Sequence, residues 1–94
     1  MKISDLKPNM DSVDVEVEVV EKGEEREFIK FGRIGKMANA LVRDETGEIV
    51  LTLWNEEVEI IPAGAKIKVV NGRVSEFQDK LCLSSGRYGC LFLM

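Results

Sequence analysis

The sequence predicts an all-β domain folded as a small five-stranded barrel, and three observations support this prediction. Apolar and polar residues alternate with a period of two along most of the chain. Segments rich in Gly, Pro and Asp separate these stretches into short strands. The 94 residues suffice for one compact core, and five strands suit a small barrel better than a seven-stranded immunoglobulin-like sandwich. We therefore expect residues 1–94 to form one domain.

Five segments carry the strand pattern. In the first, residues 13–20, valines alternate with acidic residues that face water. The other four predicted strands are residues 31–43, 48–54, 66–74 and 80–84. Residues 21–27 are charged and predict a solvated loop or a mobile strand end, whereas residues 55–60 predict a helical turn or an irregular connection. The apolar tail, residues 87–94, is expected to add a strand, or to pack against the barrel or a partner.

Glycines mark the predicted bends and turns of the barrel. Gly32 and Gly35 predict a bulge or a sharp bend near the start of the second strand. Residues 44–47, with the sequence Asp-Glu-Thr-Gly, predict a turn in which Gly47 is free to adopt a positive φ. Gly72 predicts a bulge that resets the alternation of the fourth strand.

Alternation also assigns side chains to the two faces of the strands, because successive side chains of a strand point to opposite sides. The residues predicted to face the core are Ile49, Leu51, Leu53, Ala38, Ala40 and Val42. Thr52 and Trp54 then point outward. Beyond the bulge at Gly72, Arg73 points outward, and Phe77 lies in the predicted loop 76–79.

The combination of Trp54, Arg73 and Phe77 on neighbouring elements indicates a nucleic-acid-binding surface. Bases stack on aromatic rings whatever their sequence, and a guanidinium group either stacks on a base or pairs with a phosphate. The alternative for Phe77 is that it folds back over the end of the barrel. Further candidate contacts are the outward Thr52 and the basic residues Lys30, Arg33, Lys36, Arg43, Lys80 and Arg87.

Composition excludes several other classes of function. The chain has no histidine and only two cysteines, Cys82 and Cys90, so a zinc site is not expected and both thiols are expected to be reduced. We see no nucleophile–base pair, phosphate loop or metal-ligand set, so neither an enzyme nor a cofactor is predicted. No apolar run spans a membrane or forms a signal peptide, which predicts a cytosolic protein. The net charge of −4 argues against binding nucleic acid through overall positive charge.

Two motifs resemble those of a known family. Residues 6–13, Leu-Lys-Pro-Asn-Met-Asp-Ser-Val, are similar to the opening of archaeal single-stranded DNA-binding proteins, and so is the turn 44–47 followed by Leu-Thr-Leu-Trp at 51–54. The same pattern occurs in simple oligonucleotide/oligosaccharide-binding (OB) proteins related to replication protein A. The resemblance covers about residues 3–85 and implies a five-stranded OB-fold barrel that binds single strands in replication, repair or recombination.

The resemblance also implies roles for particular residues. Trp54 and Phe77 match base-stacking aromatic residues of the family, and Arg73 stands where the most similar archaeal proteins carry a second stacking tryptophan. Relatives often have a flexible tail that recruits other proteins, whereas this sequence ends in the apolar residues 90–94. Either recruitment is absent, or the tail serves homo- or hetero-oligomerisation.

Two alternative functions remain open from the sequence. The acidic net charge and the apolar tail suit a protein-interaction OB subunit of a replication-protein-A-like complex. An RNA-binding or tRNA-binding OB domain is the other alternative, because base stacking does not depend on the sugar.

Overall fold

The computed structural model describes residues 1–86 and 89–94, and seven β-strands lie within them. The strands are β1 (Val13–Lys22), β2 (Arg26–Lys30), β3 (Arg33–Asp44), β4 (Gly47–Trp54), β5 (Lys66–Phe77), β6 (Lys80–Ser84) and β7 (Cys90–Leu93). A short 3-10 helix, Ile3–Asp5, precedes β1, and a five-residue α-helix, α1 (Glu56–Ile60), joins β4 to β5. Among the described residues, no helix is long and apolar enough to cross a membrane.

Strand pairing closes five of these strands into a barrel. β1 pairs with both β3 and β5, β3 pairs with β4, β4 pairs with β6, and β6 pairs with β5. The β4–β6 pairing is parallel and the other four are antiparallel. This circuit confirms the predicted five-stranded barrel. Two strands lie outside the circuit, since β2 extends β3 into a hairpin and β7 pairs with the first half of β5.

The core lies inside the barrel and is built from aliphatic side chains that alternate with polar ones. Ala38, Ala40 and Val42 of β3 are at most 1% exposed, and the inward side chains of β4 are also buried, as predicted. Each fully buried Val, Leu or Ile stabilises the fold by about 1.5–3 kcal/mol relative to its exposed state. The other buried aliphatic residues are Ile3, Leu6, Val13, Val15, Val17, Val19, Val58, Ile61, Ile67, Val69, Val74 and Leu83.

The prediction for residues 21–27 was correct only in part, because residues 21–22 end β1 and residues 23–25 form a connection, but residues 26–27 begin the unpredicted strand β2. The second strand was also predicted to begin two residues too early, at residue 31, since Phe31 and Gly32 form a two-residue turn between β2 and β3. Both errors have one cause. The β2–β3 hairpin projects from the barrel with neither face buried, so its side chains lack the alternation of apolar and polar residues that marks a half-buried strand.

The glycine predictions are confirmed at Gly72 and, as a sharp bend, at Gly32, but not at Gly35. Gly35 pairs regularly with Phe28, and the Phe28 ring occupies the space that a Cβ on residue 35 would fill. Gly35 is therefore not a bulge. The predicted bulge in β5 is present, because Val15 pairs with Val69 while Val13 pairs with Gly72.

The turn between β3 and β4 is present, but Gly47 does not have a positive φ. The carboxylate of Asp44 holds this turn instead. Its Oδ1 accepts hydrogen bonds from the Thr46 amide (2.7 Å), the Thr46 hydroxyl (2.5 Å) and the Gly47 amide (3.2 Å), and its Oδ2 accepts one from the Ile3 amide (2.8 Å). Burial by itself raises the pKa of Asp44, but these hydrogen bonds outweigh it and hold the pKa below its ordinary value.

The apolar tail adds a strand, which was one of the expected possibilities. β7 pairs with Ile67–Val70 of β5, and Leu91 packs against the core. Phe92 and Leu93 remain about half exposed, at 54% and 51%.

Candidate nucleic-acid interface

One side of the barrel presents a continuous surface that we call the open face. It is formed by outward side chains of β3, β4, β5 and β6, whose residues pair in rows across the sheet. Paired residues of neighbouring strands point to the same side, so the rows show which side chains lie together. The central row consists of Asn39, Thr52, Ser84 and Arg73, and the next consists of Leu41, Val50, Cys82 and Ser75.

Trp54 lies at one border of the open face, at the end of β4, and its side chain points outward as predicted. It is 39% exposed. Its ring meets the Phe28 ring edge-on, with 5.6 Å between centroids and 85° between planes. Glu57 of α1 accepts a hydrogen bond from the Trp54 amide at 3.0 Å. The indole is therefore held in position from one side, while more than a third of the residue remains open to solvent.

Phe28 is a residue of this site that sequence reasoning missed. Its ring fills the space left by Gly35 and supports Trp54. The available signal was the alternation of Arg26, Phe28 and Lys30, which places an aromatic ring between two cations on one side of β2. That signal was weak because the whole segment was interpreted as charged and solvated.

Phe77 lies at the opposite border of the open face, where it is the last residue of β5 and pairs with Lys80. It is 69% exposed and does not fold back over the end of the barrel. Thr52 and Arg73 lie in the same row, and β4 and β5 run in opposite directions. Trp54 is two residues from this row toward one end of the barrel, and Phe77 is four residues from it toward the other end. With about 3.3 Å per residue, the two rings are separated by about 20 Å along the strands, too far to stack on adjacent bases.

Arg73 lies between the two aromatic borders, in the same row as Thr52. Its side chain is 62% exposed, and its Nε lies 3.7 Å from a carboxylate oxygen of Asp11. An exposed ion pair of this length contributes little, so the guanidinium group remains available to a ligand. The Thr52 hydroxyl donates a hydrogen bond to Asn39 at 3.1 Å.

Three further predicted cations lie on the open face or its extension. Lys80 pairs with Phe77 at one border. Lys30 and Arg33 face each other at the far end of the β2–β3 hairpin, two residues beyond the Phe28–Gly35 pair and on the same side. The sheet register therefore gathers the predicted Lys30, Arg33, Arg73 and Lys80 around the exposed aromatic rings.

Other predicted cations are placed differently. Lys36 precedes Met37, which pairs with Trp54, so alternation turns Lys36 to the opposite side of β3. There its Nζ forms an ion pair with Glu59 at 3.1 Å, and this contact raises the pKa of Lys36. Arg43 lies on the same side of β3 as Asn39 and Leu41, but its guanidinium group donates two hydrogen bonds to Glu18, at 2.8 and 3.1 Å. Arg87 lies outside the described residues.

Part of the acidic charge lies away from these cations. Three glutamates are on α1, and Glu16 and Glu18 of β1 stand opposite Lys68 and Lys66 of β5. A net charge of −4 does not prevent the side chains of Lys30, Arg33, Arg73 and Lys80 from contacting phosphates. Within the described part of the chain, no group of three or more Cys, Asp or Glu side chains is arranged to hold a metal ion.

Comparisons with known proteins identify the family of this chain. The family model described as "Single-stranded DNA binding protein Ssb-like, OB fold" matches residues 6–92. The single-stranded DNA binding protein Ssb of Saccharolobus solfataricus is 36% identical over 85 residues, which cover 90% of this chain and 57% of that protein. The chain thus spans little more than half the length of this curated relative.

Solved structures show the same fold. The second OB-fold domain of replication protein A from Methanococcus maripaludis is 34% identical and superposes with a TM-score of 0.74, covering 89% of this chain and 86% of that one. A hypothetical protein of Arabidopsis thaliana, 23% identical, has a TM-score of 0.84 over the whole of this chain and 72% of its own. These findings confirm the OB fold, and the chain belongs to the Ssb-like family of OB-fold single-stranded DNA-binding proteins, which are not enzymes.

Proposed function

We propose that this chain binds single-stranded DNA with little regard to sequence, on the open face of its barrel. Bases stack on Trp54 and Phe77, and Lys30, Arg33 and Lys80 contact the phosphates. The Saccharolobus relative is named as a single-stranded DNA binding protein, which supports the same ligand here. A role in replication, repair or recombination follows from this ligand, because all three processes expose single strands.

The observation that carries the proposal is the shared placement of exposed rings and cations on one face. Trp54 is 39% exposed and Phe77 is 69% exposed, although burial of large aromatic rings normally stabilises a small domain. A stacked base covers such a ring and contributes about 1–3 kcal/mol to binding. The separation of about 20 Å between the two rings means that several nucleotides lie between the two stacked bases.

Arg73 lies in the central row of the open face, where Ser84 separates it from Thr52. A guanidinium plane offers a base a flat cation and offers a phosphate two parallel hydrogen bonds. The weak contact with Asp11 positions Arg73 without neutralising it fully. We therefore assign Arg73 to the nucleotides that lie between the two aromatic rings.

Titration with oligo-dT, followed by tryptophan fluorescence, tests the proposal. Trp54 is the only tryptophan, so stacking of a base on it quenches the whole signal. The affinity falls as salt rises, with a slope in log–log units of about −0.7 for each phosphate contact on a single strand. Unchanged fluorescence at micromolar protein in low salt would reject the proposal.

A second candidate function, assembly with another protein subunit, is supported by β7. Phe92 and Leu93 of this strand, and Met94 directly after it, are each more than half exposed. Light scattering of the wild type and of Phe92→Asp distinguishes the two functions. An oligomer that dissociates in the variant, together with no affinity for oligo-dT, favours assembly over DNA binding.

RNA is the remaining alternative ligand. Stacking on Trp54 and Phe77 does not depend on the 2′-hydroxyl, which is the group by which a protein distinguishes RNA from DNA. Competition between oligo-dT and oligo-U of equal length decides between them, and we expect oligo-dT to bind more tightly because the Saccharolobus relative is named as a DNA binding protein.

A further inference from the structure

Two hairpins of the molecule have the same turn geometry but different tips. Phe31 and Gly32 join β2 to β3 with φ values of 53° and 74°, and Gln78 and Asp79 join β5 to β6 with φ values of 52° and 64°. Positive φ at both positions defines a type I′ turn, which favours Asn, Asp and Gly. A bulky residue such as Phe is strained in this conformation, so Phe31 is held at the tip against its backbone preference.

The tip of the β2–β3 hairpin is also unusually apolar for an exposed element. Phe31 is 92% exposed, and Ile29 and Ile34, which pair with each other just below it, are 78% and 71% exposed. Lys30 and Arg33 flank the tip, and the Lys30 Nζ lies 5.7 Å from the centre of the Phe31 ring. Exposed apolar groups clustered in this way mark an interaction site, and the flanking cations make an anionic partner the complementary one.

The position of the hairpin indicates which part of a nucleic acid meets it. The open face continues from Trp54 through Phe28 to the Lys30–Arg33 pair, where the hairpin ends. A strand bound on this face therefore leaves the protein at Phe31. The two isoleucines lie on the other side of the hairpin, turned away from that strand.

We propose that Phe31 packs against the first base pair of a duplex that adjoins the bound single strand, so that the hairpin parts the two strands. This inference rests on the proposed function. One strand continues along the open face beside Lys30 and Arg33, and the displaced strand passes the side that carries Ile29 and Ile34. Apolar side chains inserted between base steps unstack them in other DNA-binding proteins. The apolar tip of this hairpin, with one side available to each DNA strand, can separate a base pair in the same way.

Binding to junction DNA tests this inference. The probes are an oligo-dT single strand of about eight nucleotides and two duplexes that carry the same overhang at either the 5′ or the 3′ end, with 2-aminopurine in the first base pair. Because the hairpin lies at one end of the open face, only one of the two overhang polarities brings the duplex to Phe31. For that polarity we expect the junction to bind about fivefold to tenfold more tightly than the single strand, with a rise in 2-aminopurine fluorescence.

Phe31→Asn is the decisive variant, because Asn-Gly is a favoured pair for this turn and the hairpin keeps its shape. We expect an unchanged or higher melting temperature, unchanged affinity for the single strand, and loss of both the junction preference and the fluorescence rise. Phe31→Tyr keeps a flat ring and retains both effects.

Three results would overturn the inference. Equal binding of junctions and single strands by the wild type and Phe31→Asn would mean that the tip serves another partner, such as a protein. If Phe31→Asn lowered the affinity for the junction and for the single strand equally, Phe31 would be only a further stacking ring for the single strand. Failure to bind even the single strand would reject the proposed function, and this inference with it.

Discussion

The two faces of β4 differ in what their side chains do for the protein. The inner face carries Leu51 and Leu53, which are fully buried, whereas the outer face carries Thr52 and Trp54, which reach solvent. Burial makes the inner residues essential to the barrel, and their replacement exposes or empties the core. The outer residues contribute less to folding, and this leaves them available to a ligand. Stability and binding should therefore be separable by mutations one residue apart.

The largest expected effect is on the inner face. Leu51→Ala removes a fully buried side chain and leaves a cavity, which costs about 2–5 kcal/mol of unfolding free energy. Urea denaturation measures this loss, and oligo-dT affinity, corrected for the folded fraction, should stay unchanged. A variant as stable as the wild type would show that the residue does not lie in the core.

On the outer face, Trp54→Ala should weaken binding to oligo-dT by about 1–3 kcal/mol, because one stacked base loses its ring. The unfolding free energy should also fall, by about 1.5–3 kcal/mol, because Ala loses the partly buried surface of the ring together with its contact with Phe28. Fluorescence anisotropy of a labelled oligonucleotide measures the affinity, since the variant has no tryptophan. Phe92→Ala removes an exposed aromatic ring outside the open face and serves as the control, with unchanged affinity expected.

The unfolding free energy should depend on pH through Asp44, which joins the β3–β4 turn to the N-terminal segment. The carboxylate form of Asp44 binds the turn and the Ile3 amide, and its pKa is lower in the folded state than in the unfolded state. Its contribution is therefore complete above the unfolded pKa of about 3.9 and is lost as the pH falls through the folded pKa. Asp44→Ala should be less stable than the wild type at pH 7, by about 1 kcal/mol. Chemical denaturation from pH 7 to pH 2 should show this difference shrinking, and a constant difference would contradict the assignment.

The smallest expected effect is on the salt dependence of oligo-dT binding, which should differ between variants of two lysines in the same hairpin. Lys30 lies on the side of Phe28 and Trp54, whereas Lys36 lies on the opposite side and is paired with Glu59. Lys30→Ala should reduce the magnitude of the salt slope for oligo-dT binding by about 0.7, the value of one phosphate contact. Lys36→Ala should leave the slope unchanged. Equal slopes for the two variants would show that the side of the hairpin does not matter.

The sequence predicted the five barrel strands and the outward direction of Trp54 and Arg73, because β4 and β5 each have one buried face. A buried face imposes strict alternation, and alternation is visible in a single sequence. Even the bulge near Gly72 and its effect on Arg73 could be predicted, since the apolar pattern changes phase there.

The β2–β3 hairpin could not be predicted in the same way. Its turn has Phe31 where Asn or Asp is usual, and its strands have no buried face, so neither turn chemistry nor periodicity identified it. Phe28 was missed for this reason, because without the register of β2 against β3 the sequence does not show which side of the hairpin it occupies. Lys36 is different, since its alternation with Met37 and Ala38 already places it on the side opposite Trp54.

DNA binding on one face of the barrel is tested most directly by ¹H–¹⁵N NMR spectra recorded with and without oligo-dT. We expect shifts in the Trp54 indole N–H and in amides around Arg73, Phe77 and Lys30. We expect little change along the outer side of β1 and in α1. Shifts confined to β1, α1 or β7, with the Trp54 indole signal unmoved, would contradict it.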